Sequence, residues 1–399
     1  MKLINRKNDT RKKRMTFLFT IVFVLIPLLC AVLVGCGNRQ TRSDAANDGI
    51  KAPKISGMKY DKSLNPKYAK EFNVHYYKNG YKLIVIKKDA GYLLVPKGGK
   101  VPKSLPKKIK ILKEPVNNIY LAATASMSLF ASMNALDKIT MSSLKEGGWT
   151  FNSVKKAMRA GKIQFSGKYS EPDYEMLVNK KCKLAIESTM IYHSPEVKEM
   201  IEGIPIPVMV DRSSYESHPL GRTEWIKLYG ALIGREEQAD RFFKDQENKI
   251  SKIKKQKNTG KTIAFFYIST DGKAIVRRST DYIPSMIEIA GGKYIFKDLD
   301  DKDGKPSIPM TIEKFYDTAA GADYIVYNAS IDSSVKSLKD LVAKDPAMKN
   351  FKAVRHGNCW TTGASMYQRT DIVGDMISDF NKLLTKKNPG DLKFIKKLK

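Results

Sequence analysis

The strongest constraint on the fold of this chain is the alternation of strand patterns and helical patterns from Ile109 onward. Residues 119–122 form a short apolar strand pattern, and apolar residues at helical spacing follow it. A helical pattern over residues 171–178 precedes further strand patterns at residues 184–186 and 207–210. Alternation of this kind favours a parallel sheet wrapped by helices. We therefore expect an α/β lobe in this part of the chain.

The longest helical pattern covers residues 220–256. Its apolar residues keep helical spacing on both sides of Gly234, which we expect to interrupt the helix only locally. Strand patterns then return at residues 262–267, 274–276, 324–327 and 353–354, and an apolar helical pattern over residues 372–384 follows them. The order predicts two α/β lobes joined by one long helix.

Residues 72–95 carry a different pattern, in which three β-rich pieces are separated by turn signals. Asn79-Gly80 and Ala90-Gly91 lie between the pieces, which favours an antiparallel meander. A connection rich in Pro and Gly then leads to Pro106. We therefore expect a small β-rich extension before the first lobe.

The first 36 residues have the order of a secretory signal. Seven Lys or Arg residues lie in the first 14 positions, and an uncharged apolar run follows them. The run ends at residues 33–36 in Leu-Val-Gly-Cys, which is similar to the lipobox of bacterial lipoproteins. We expect residues 1–35 to be removed, Cys36 to carry the lipid and residues 36–54 to form a flexible tether. The alternative is an uncleaved membrane anchor, because an apolar run of roughly 20 residues can span a bilayer. Both place the rest of the chain outside the cytoplasm.

The composition is strongly basic, with 71 Lys plus Arg against 41 Asp plus Glu. The lysines are spread between apolar positions along the chain, and an exported protein has no access to cytoplasmic nucleic acid. We therefore expect no nucleic-acid binding but a solvated basic surface facing an anionic envelope, with anionic ligand recognition as an additional option. Cys182 and Cys359 are expected to be free and mostly buried. The four histidines are dispersed, so no metal site is predicted.

Several short motifs follow one another between residues 110 and 385. They occupy residues 119–126, 167–177, 184–187, 203–208, 234–239, 289–296, 312–313 and 321–325. Their order resembles that in the substrate-binding proteins of ABC importers for ferric siderophores, haem and cobalamin. Residues 203–208, Gly-Ile-Pro-Ile-Pro-Val, are similar to the Gly-Ile-Pro-Val element of that family, and residues 289–292 are similar to its Ala-Gly-Gly motif.

The resemblance implies two Rossmann-like lobes joined by a single rigid helix. The expected parts are the leader (1–35), the lipidated tether (36–54), the β-rich extension (55–106), the first lobe (107–219), the linking helix (220–257) and the second lobe (258–399). It also implies a binding protein without bond chemistry or cofactor, which delivers an iron complex to an ABC permease and its ATPase. We expect a monomer, lipid-anchored at the extracytoplasmic face of the cell membrane in a Gram-positive host.

In this family the ligand lies between the lobes, on loops at the carboxyl ends of strands. Ferric siderophores and haem are large, partly aromatic and usually anionic, so aromatic faces and guanidinium groups suit them. The candidate residues are Thr124, Ser126, Trp149, Lys168, Tyr169, Ser188, Arg212, Arg222, Arg277, Arg278, Trp360 and Tyr367. Glu175 and Glu313 align with the two glutamates by which the family docks on its permease, at positions where a helix dipole also favours an acid.

Three alternatives stay open. The first is that this protein binds cobalamin, as some members of the same family do. A surface-anchored enzyme that processes metal chelates would require a reactive group in the cleft, for which Cys359 beside Trp360 is the candidate. A sensory or adhesive lipoprotein would keep the fold without transport.

Overall fold

The computed structural model describes residues 50–300, 305–363, 366–386, 389–390 and 392–399. These residues belong to one compact unit of residues 47–399. The predicted leader, the predicted lipidation at Cys36 and most of the predicted tether lie outside the described residues.

The first sheet, here called the extension sheet, has five strands in sequence order. They are β1 Tyr60–Ser63, β2 Phe72–Tyr77, β3 Lys82–Ile86, β4 Gly91–Val95 and β5 Ile109–Lys113. β1 to β4 are antiparallel, which confirms the predicted meander. β5 pairs with β4 in parallel, so the strand at Ile109, expected in the first lobe, instead completes this sheet beyond the expected boundary at residue 106.

Two buried carboxylates fasten the extension sheet to the rest of the molecule. Glu224 accepts hydrogen bonds of 2.7–2.9 Å from the backbone N–H groups of residues 67–69. Glu216 accepts the next two backbone N–H groups, of residues 70 and 71, and the indole N–H of Trp225. Because these carboxylates satisfy five successive backbone donors, the segment that enters β2 is held in a single conformation.

The second sheet, here called the parallel sheet, is built from β6 Ile119–Leu121, β7 Ile139–Ser142, β8 Gln164–Phe165, β11 Leu184–Ser188 and β12 Val208–Asp211. Its order is β12-β11-β6-β7-β8 and all its pairs are parallel, as predicted. The helices α1 Thr124–Ser132, α2 Asn152–Arg159, α3 Tyr174–Asn179 and α4 Pro195–Gly203 connect these strands. A small hairpin of β9 Gly167–Lys168 and β10 Glu171–Pro172 precedes α3, so Pro172 lies in a strand and not at the start of the predicted helix.

The predicted single helix over residues 220–257 is wrong. The segment forms two helices, α5 Pro219–Ile233 and α6 Glu236–Lys254. Gly234 adopts a left-handed conformation with φ 70° and ends α5. α6 then runs back along α5, because Gly230 lies against Ala239, and the Lys227 ammonium lies 4.7 Å from the ring centroid of Phe243. The apolar spacing continued across the break because α5 is buried along almost its whole length and α6 buries one face.

The third sheet, here called the mixed sheet, contains β13 Thr262–Ile268, β14 Ala274–Arg277, β15 Lys293–Tyr294, β16 Ser307–Met310, β17 Tyr324–Tyr327, β18 Cys359–Thr362 and β19 Ile395–Lys397. Its order is β16-β14-β13-β17-β18-β19, and β15 also pairs with β13. β13, β17 and β18 are parallel, whereas β14, β16 and β19 are antiparallel to their neighbours. Its helices are α7 Tyr282–Ile289, α8 Ile312–Ala319, α9 Leu338–Lys344, α10 Lys352–Arg355 and α11 Val373–Thr385.

The predicted strand at residues 353–354 is wrong, because both residues lie in α10. The strand follows at Cys359–Thr362, after a turn in which Gly357 has φ 64°. Two apolar residues are too short a signal to distinguish a strand from one turn of helix.

Candidate functional site

A cavity of about 360 Å³ lies between the carboxyl end of the parallel sheet and the facing edge of the mixed sheet. From the first side come Ala123, Thr124, Ala125, Ser188, Thr189, Met190, Asp211, Ser213 and Ser214. α5 contributes Arg222, and the second side contributes Tyr267, Arg277, Pro306, Ser307, Ile331 and Tyr367. Carboxyl ends of parallel strands are where α/β sheets bind small molecules, so the fold itself places a ligand site here.

The first wall is held rigid by local hydrogen bonds. Asp211 ends β12, and its carboxylate accepts the backbone N–H of Ser213 at 2.7 Å and the hydroxyl of Tyr229 at 2.6 Å. The Thr189 and Ser214 hydroxyl oxygens lie 3.2 Å apart, which links the loops after β11 and β12. Both loops therefore keep their shape without a ligand.

The second wall carries a guanidinium that is already paired. Arg277 donates to both carboxylate oxygens of Asp281, at 3.0 and 2.7 Å, and to the Ser307 hydroxyl at 2.7 Å. Although burial disfavours its charge, the neighbouring carboxylate of Asp281 raises the pKa of Arg277. Arg277 therefore shapes the wall while most of its donors are engaged within the protein.

Arg222 differs from Arg277 in its partners. Its side chain leaves α5 for the cavity, it is 7% exposed, and its guanidinium carbon lies 4.1 Å from the ring centroid of Tyr282. Within the described residues it forms no ion pair with a carboxylate. A nearly buried cation held only by an aromatic face is costly, and an anion in the cavity would offset that cost.

Apolar and aromatic groups surround this charge. Met190 and Ile331, on opposite walls, are 47% and 54% exposed although they line the cavity. Tyr267 and Tyr367 lie on the second wall, where the Tyr367 hydroxyl accepts a 2.8 Å hydrogen bond from the Asn328 amide. The cavity is suited to a partly aromatic ligand with at least one negative group.

The structure brings together five of the twelve predicted ligand residues. These are Thr124, Ser188, Arg222, Arg277 and Tyr367. The other seven do not line this cavity.

Four of these seven residues have visible other roles. Ser126 donates to the Ala123 carbonyl, within the first turn of α1. Trp149 is buried and packs edge-on against Phe151. Arg212 pairs with Glu71 at 2.8 Å, and Trp360 lines a separate cavity in the mixed sheet. Lys168 lies in β9, with Tyr169 directly after it, and Arg278 follows β14.

Sequence reasoning missed several lining residues. Asp211 and Tyr267 are the last and next-to-last residues of β12 and β13, so exact strand ends would have identified them. Met190 lies in a short 3-10 helix, Thr189–His193, and Ile331 lies in a turn; both are exposed apolar residues that no periodic pattern marks.

Glu175 and Glu313 occupy equivalent places in two helices. Each is the second residue of its helix, α3 or α8, and each side chain is exposed. Asp173 and Thr311 cap these helices by accepting a backbone N–H from the first turn. Hydrogen bonds from its own backbone N–H and from Thr311 lower the pKa of Glu313. Neither glutamate forms an ion pair in the part of the chain that the structure describes.

The cysteines and potential metal ligands lie apart. Cys182 and Cys359 are free thiols, half-buried and buried, and burial raises their pKa to about 11 and about 12. No group of three His, Cys, Asp or Glu side chains capable of holding a metal occurs in the described residues. Within the same residues, no helix is both long and apolar enough to cross a membrane.

Comparison with known proteins decides the family. A family model described as "Periplasmic binding protein" matches residues 123–366, more than half of the chain and all of the first wall of the cavity. This chain belongs to the periplasmic binding protein family. A curated relative, an uncharacterized lipoprotein of Methanocaldococcus jannaschii, is 26% identical over an alignment of 374 residues that covers 86% of this chain and 87% of the relative.

Solved structures of the family share the fold of this periplasmic binding protein. A haem complex from S. aureus has a TM-score of 0.53 and 17% identity, over 68% of this chain and 99% of that chain. A protein of an ABC-type Fe³⁺-hydroxamate transport system from Saccharomonospora viridis has a TM-score of 0.53 and 16% identity, over 68% of this chain and 94% of that chain. The mixed α/β architecture of binding proteins is therefore present here.

Proposed function

We propose that this periplasmic binding protein is the extracytoplasmic substrate-binding component of an ABC importer and captures an anionic iron complex, a ferric siderophore or haem. The observation that carries the proposal is Arg222, a nearly buried guanidinium without a carboxylate partner among the described residues, directed at a cavity between two α/β sheets. A carboxylate, hydroxamate or catecholate oxygen of a siderophore, or a haem propionate, would accept its hydrogen bonds.

The remaining walls match the apolar part of such a ligand. Met190, Ile331 and the two tyrosines offer flat or flexible contacts on both sides. Of the side chains that bind haem iron in proteins, the cavity contains Met190, Tyr267 and Tyr367. Cobalamin stays as the alternative cargo, although its amide-rich periphery makes less use of an uncommitted guanidinium.

The enzyme alternative receives little support from its candidate residue. Cys359 is buried in β18 and does not line the cavity. Because burial raises the pKa of its thiol to about 12, the thiol stays protonated at neutral pH and is a poor nucleophile.

Two exposed glutamates support a proposal about the permease. Glu175 and Glu313, both exposed and without an ion pair in the described residues, would dock the two lobes on arginines of a permease served by an ATPase. In this arrangement the parallel and mixed sheets are the two lobes, and the α5–α6 hairpin joins them. The receptor would be a monomer, held by a lipid on Cys36 at the outer face of the membrane of a Gram-positive host.

Equilibrium titration of residues 37–399 tests the proposal. A ferric hydroxamate, a ferric catecholate, haem and cobalamin would be compared by calorimetry, since none of the three Trp side chains lines the cavity. Arg222→Gln should weaken binding of an anionic complex about 10- to 100-fold, the effect of hydrogen bonds to a charged group. Arg241→Gln, at an exposed arginine of α6, is the matched control. Absence of binding by all four ligands, or full affinity in Arg222→Gln, would refute the proposal.

A further inference from the structure

Positive charge is concentrated in one part of this protein. Residues 50–113, which contain the extension sheet, hold 17 Lys and no Arg against three acids, a net charge of +14. Residues 114–399 hold 45 Lys plus Arg against 35 acids, a net charge of +10 over more than four times the length. The lysines, which occur along the whole chain, are therefore denser in the extension than in the rest of it.

The two faces of the extension sheet have different neighbours. The inner face packs on α5, where the rings of Phe72 and Trp225 lie 5.1 Å apart. The outer face, with Tyr77, Leu83 and Leu93, is covered by the segments of residues 50–59 and 96–108, which contribute Ile55, Met58 and Leu105. We call these two segments the outer cover.

Hydrogen bonds fix the outer cover to the sheet. Tyr77 donates its hydroxyl to the Pro53 carbonyl, and Tyr81 donates its hydroxyl to the Lys100 carbonyl, both at 2.7 Å. The outer cover therefore presents its side chains from a defined surface, not from a free loop.

The outer cover is rich in lysine, and acids lie near only one end of it, where Lys107 and Lys108 line a cavity together with Asp89 and Glu202. Its exposed lysines are Lys51, Lys54, Lys59, Lys97, Lys100, Lys103, Lys107 and Lys108. Neither segment contains Asp or Glu, and none of these lysines forms an ion pair with a described residue. Val101, 39% exposed, adds an apolar side chain among them. Like charges held together repel one another, and an extended anionic surface offsets that repulsion.

We propose that the outer cover is a docking surface for the anionic headgroups of membrane lipids. Lysine is a strongly hydrated point charge, which suits attraction to a diffuse negative surface more than bidentate recognition of one group. Ile50 follows Cys36 by 14 residues, a length of chain that spans at most about 50 Å when fully extended. The proposal rests on the extracytoplasmic location but not on the cargo of the cavity.

Vesicle co-sedimentation tests this surface. Residues 37–399, which keep the compact unit, would be mixed with vesicles of phosphatidylcholine alone or with one third phosphatidylglycerol. Each lysine at an anionic surface contributes about 1 kcal/mol, about five-fold in binding, so Lys97→Gln, Lys100→Gln and Lys103→Gln together should cost about 100-fold. The matched control replaces Lys336, Lys339 and Lys349, three exposed lysines of the mixed-sheet side, by Gln.

The expected result is binding to the anionic vesicles only, lost in the outer-cover variant and kept in the control, with weaker binding at higher salt. Unchanged unfolding curves of both variants establish that the fold is intact. Equal losses in both variants would mean that net charge and not this surface governs binding, which overturns the proposal. Binding to a phosphate polymer in solution without binding to vesicles would also overturn the proposal, because the partner would then be an anionic polymer of the cell envelope and not a lipid surface. Because cargo binding is measured separately, failure here leaves the importer proposal untouched.

Discussion

Replacing Glu187 by Gln should prevent a large part of the loss of stability that this protein undergoes as pH rises. Glu187 lies in β11, is fully buried, and has no hydrogen-bond partner for either carboxylate oxygen in the described residues. Tyr120 and Tyr174 lie near enough to interact electrostatically with its carboxyl group. Burial therefore raises the pKa of Glu187 from 4.5 to about 8.

The sign of the effect follows from proton binding. Below about pH 4.5 the carboxyl group is protonated in both the folded and the unfolded chain, so its ionisation does not change the free energy of unfolding. As pH rises towards 8, only the unfolded chain releases the proton, and the free energy of unfolding falls. At about 1.4 kcal/mol per pKa unit, the loss reaches about 4–5 kcal/mol above pH 8, a large part of a typical stability of about 5–15 kcal/mol.

Urea unfolding followed by circular dichroism at about pH 5, 7 and 9 measures this loss. The wild type should lose about 4 kcal/mol more than Glu187→Gln between the extremes, because the amide is neutral throughout. Glu199→Gln, at an exposed position of α4, should follow the wild type. Parallel wild-type and Glu187→Gln curves over the whole range would refute the assigned burial of an ionisable carboxyl.

Three further changes test other parts of the fold and the proposed docking. Glu224→Gln should lower the free energy of unfolding by about 2–4 kcal/mol, because one amide oxygen replaces a carboxylate that accepts three backbone N–H groups. Urea unfolding measures this loss, with Glu237→Gln, at an exposed position, as the control. Equal stability of the two variants would contradict the role of Glu224 in anchoring the extension sheet. Gly230→Ala should lower the free energy of unfolding by about 1–3 kcal/mol, because the added Cβ would lie 2.7 Å from the Cβ of Ala239. Gly321→Ala is the control, since a Cβ there meets no atom within 4 Å. Equal unfolding midpoints of the two variants would contradict the close contact between α5 and α6. Glu175→Lys with Glu313→Lys should abolish iron uptake by cells and leave ligand affinity intact, and continued uptake would remove the docking assignment.

The alternation of strands and helices was predictable because buried parallel strands are short apolar runs bounded by polar turns. β6, β11 and β12 were found in this way, and the meander of β2 to β4 was found from its turn residues. The pairing of β5 was not predictable, because a strand pattern does not specify its neighbour. The same limit applies to α5 and α6, whose apolar spacing fits one bent helix as well as a hairpin.

The cavity was predictable only in part, because the resemblance supplies loop positions and not side-chain directions. Arg222 lines the cavity, whereas Arg212, ten residues earlier, pairs with Glu71 in the extension. That partner lies 141 positions away in sequence, in a segment that the family pattern does not cover. Long-range pairing therefore decides which arginine stays available to a ligand.

Three consecutive residues of α5 face three different parts of the molecule. Arg222 faces the cavity, Thr223 donates its hydroxyl to the Thr370 carbonyl before α11, and Glu224 holds the extension. Successive residues of a helix differ by about 100° in direction, so this division needs one helical register. A single inserted residue before position 222 would turn all three contacts away at once. α5 therefore resists insertion and deletion, and its length constrains how sequences of this kind can diverge.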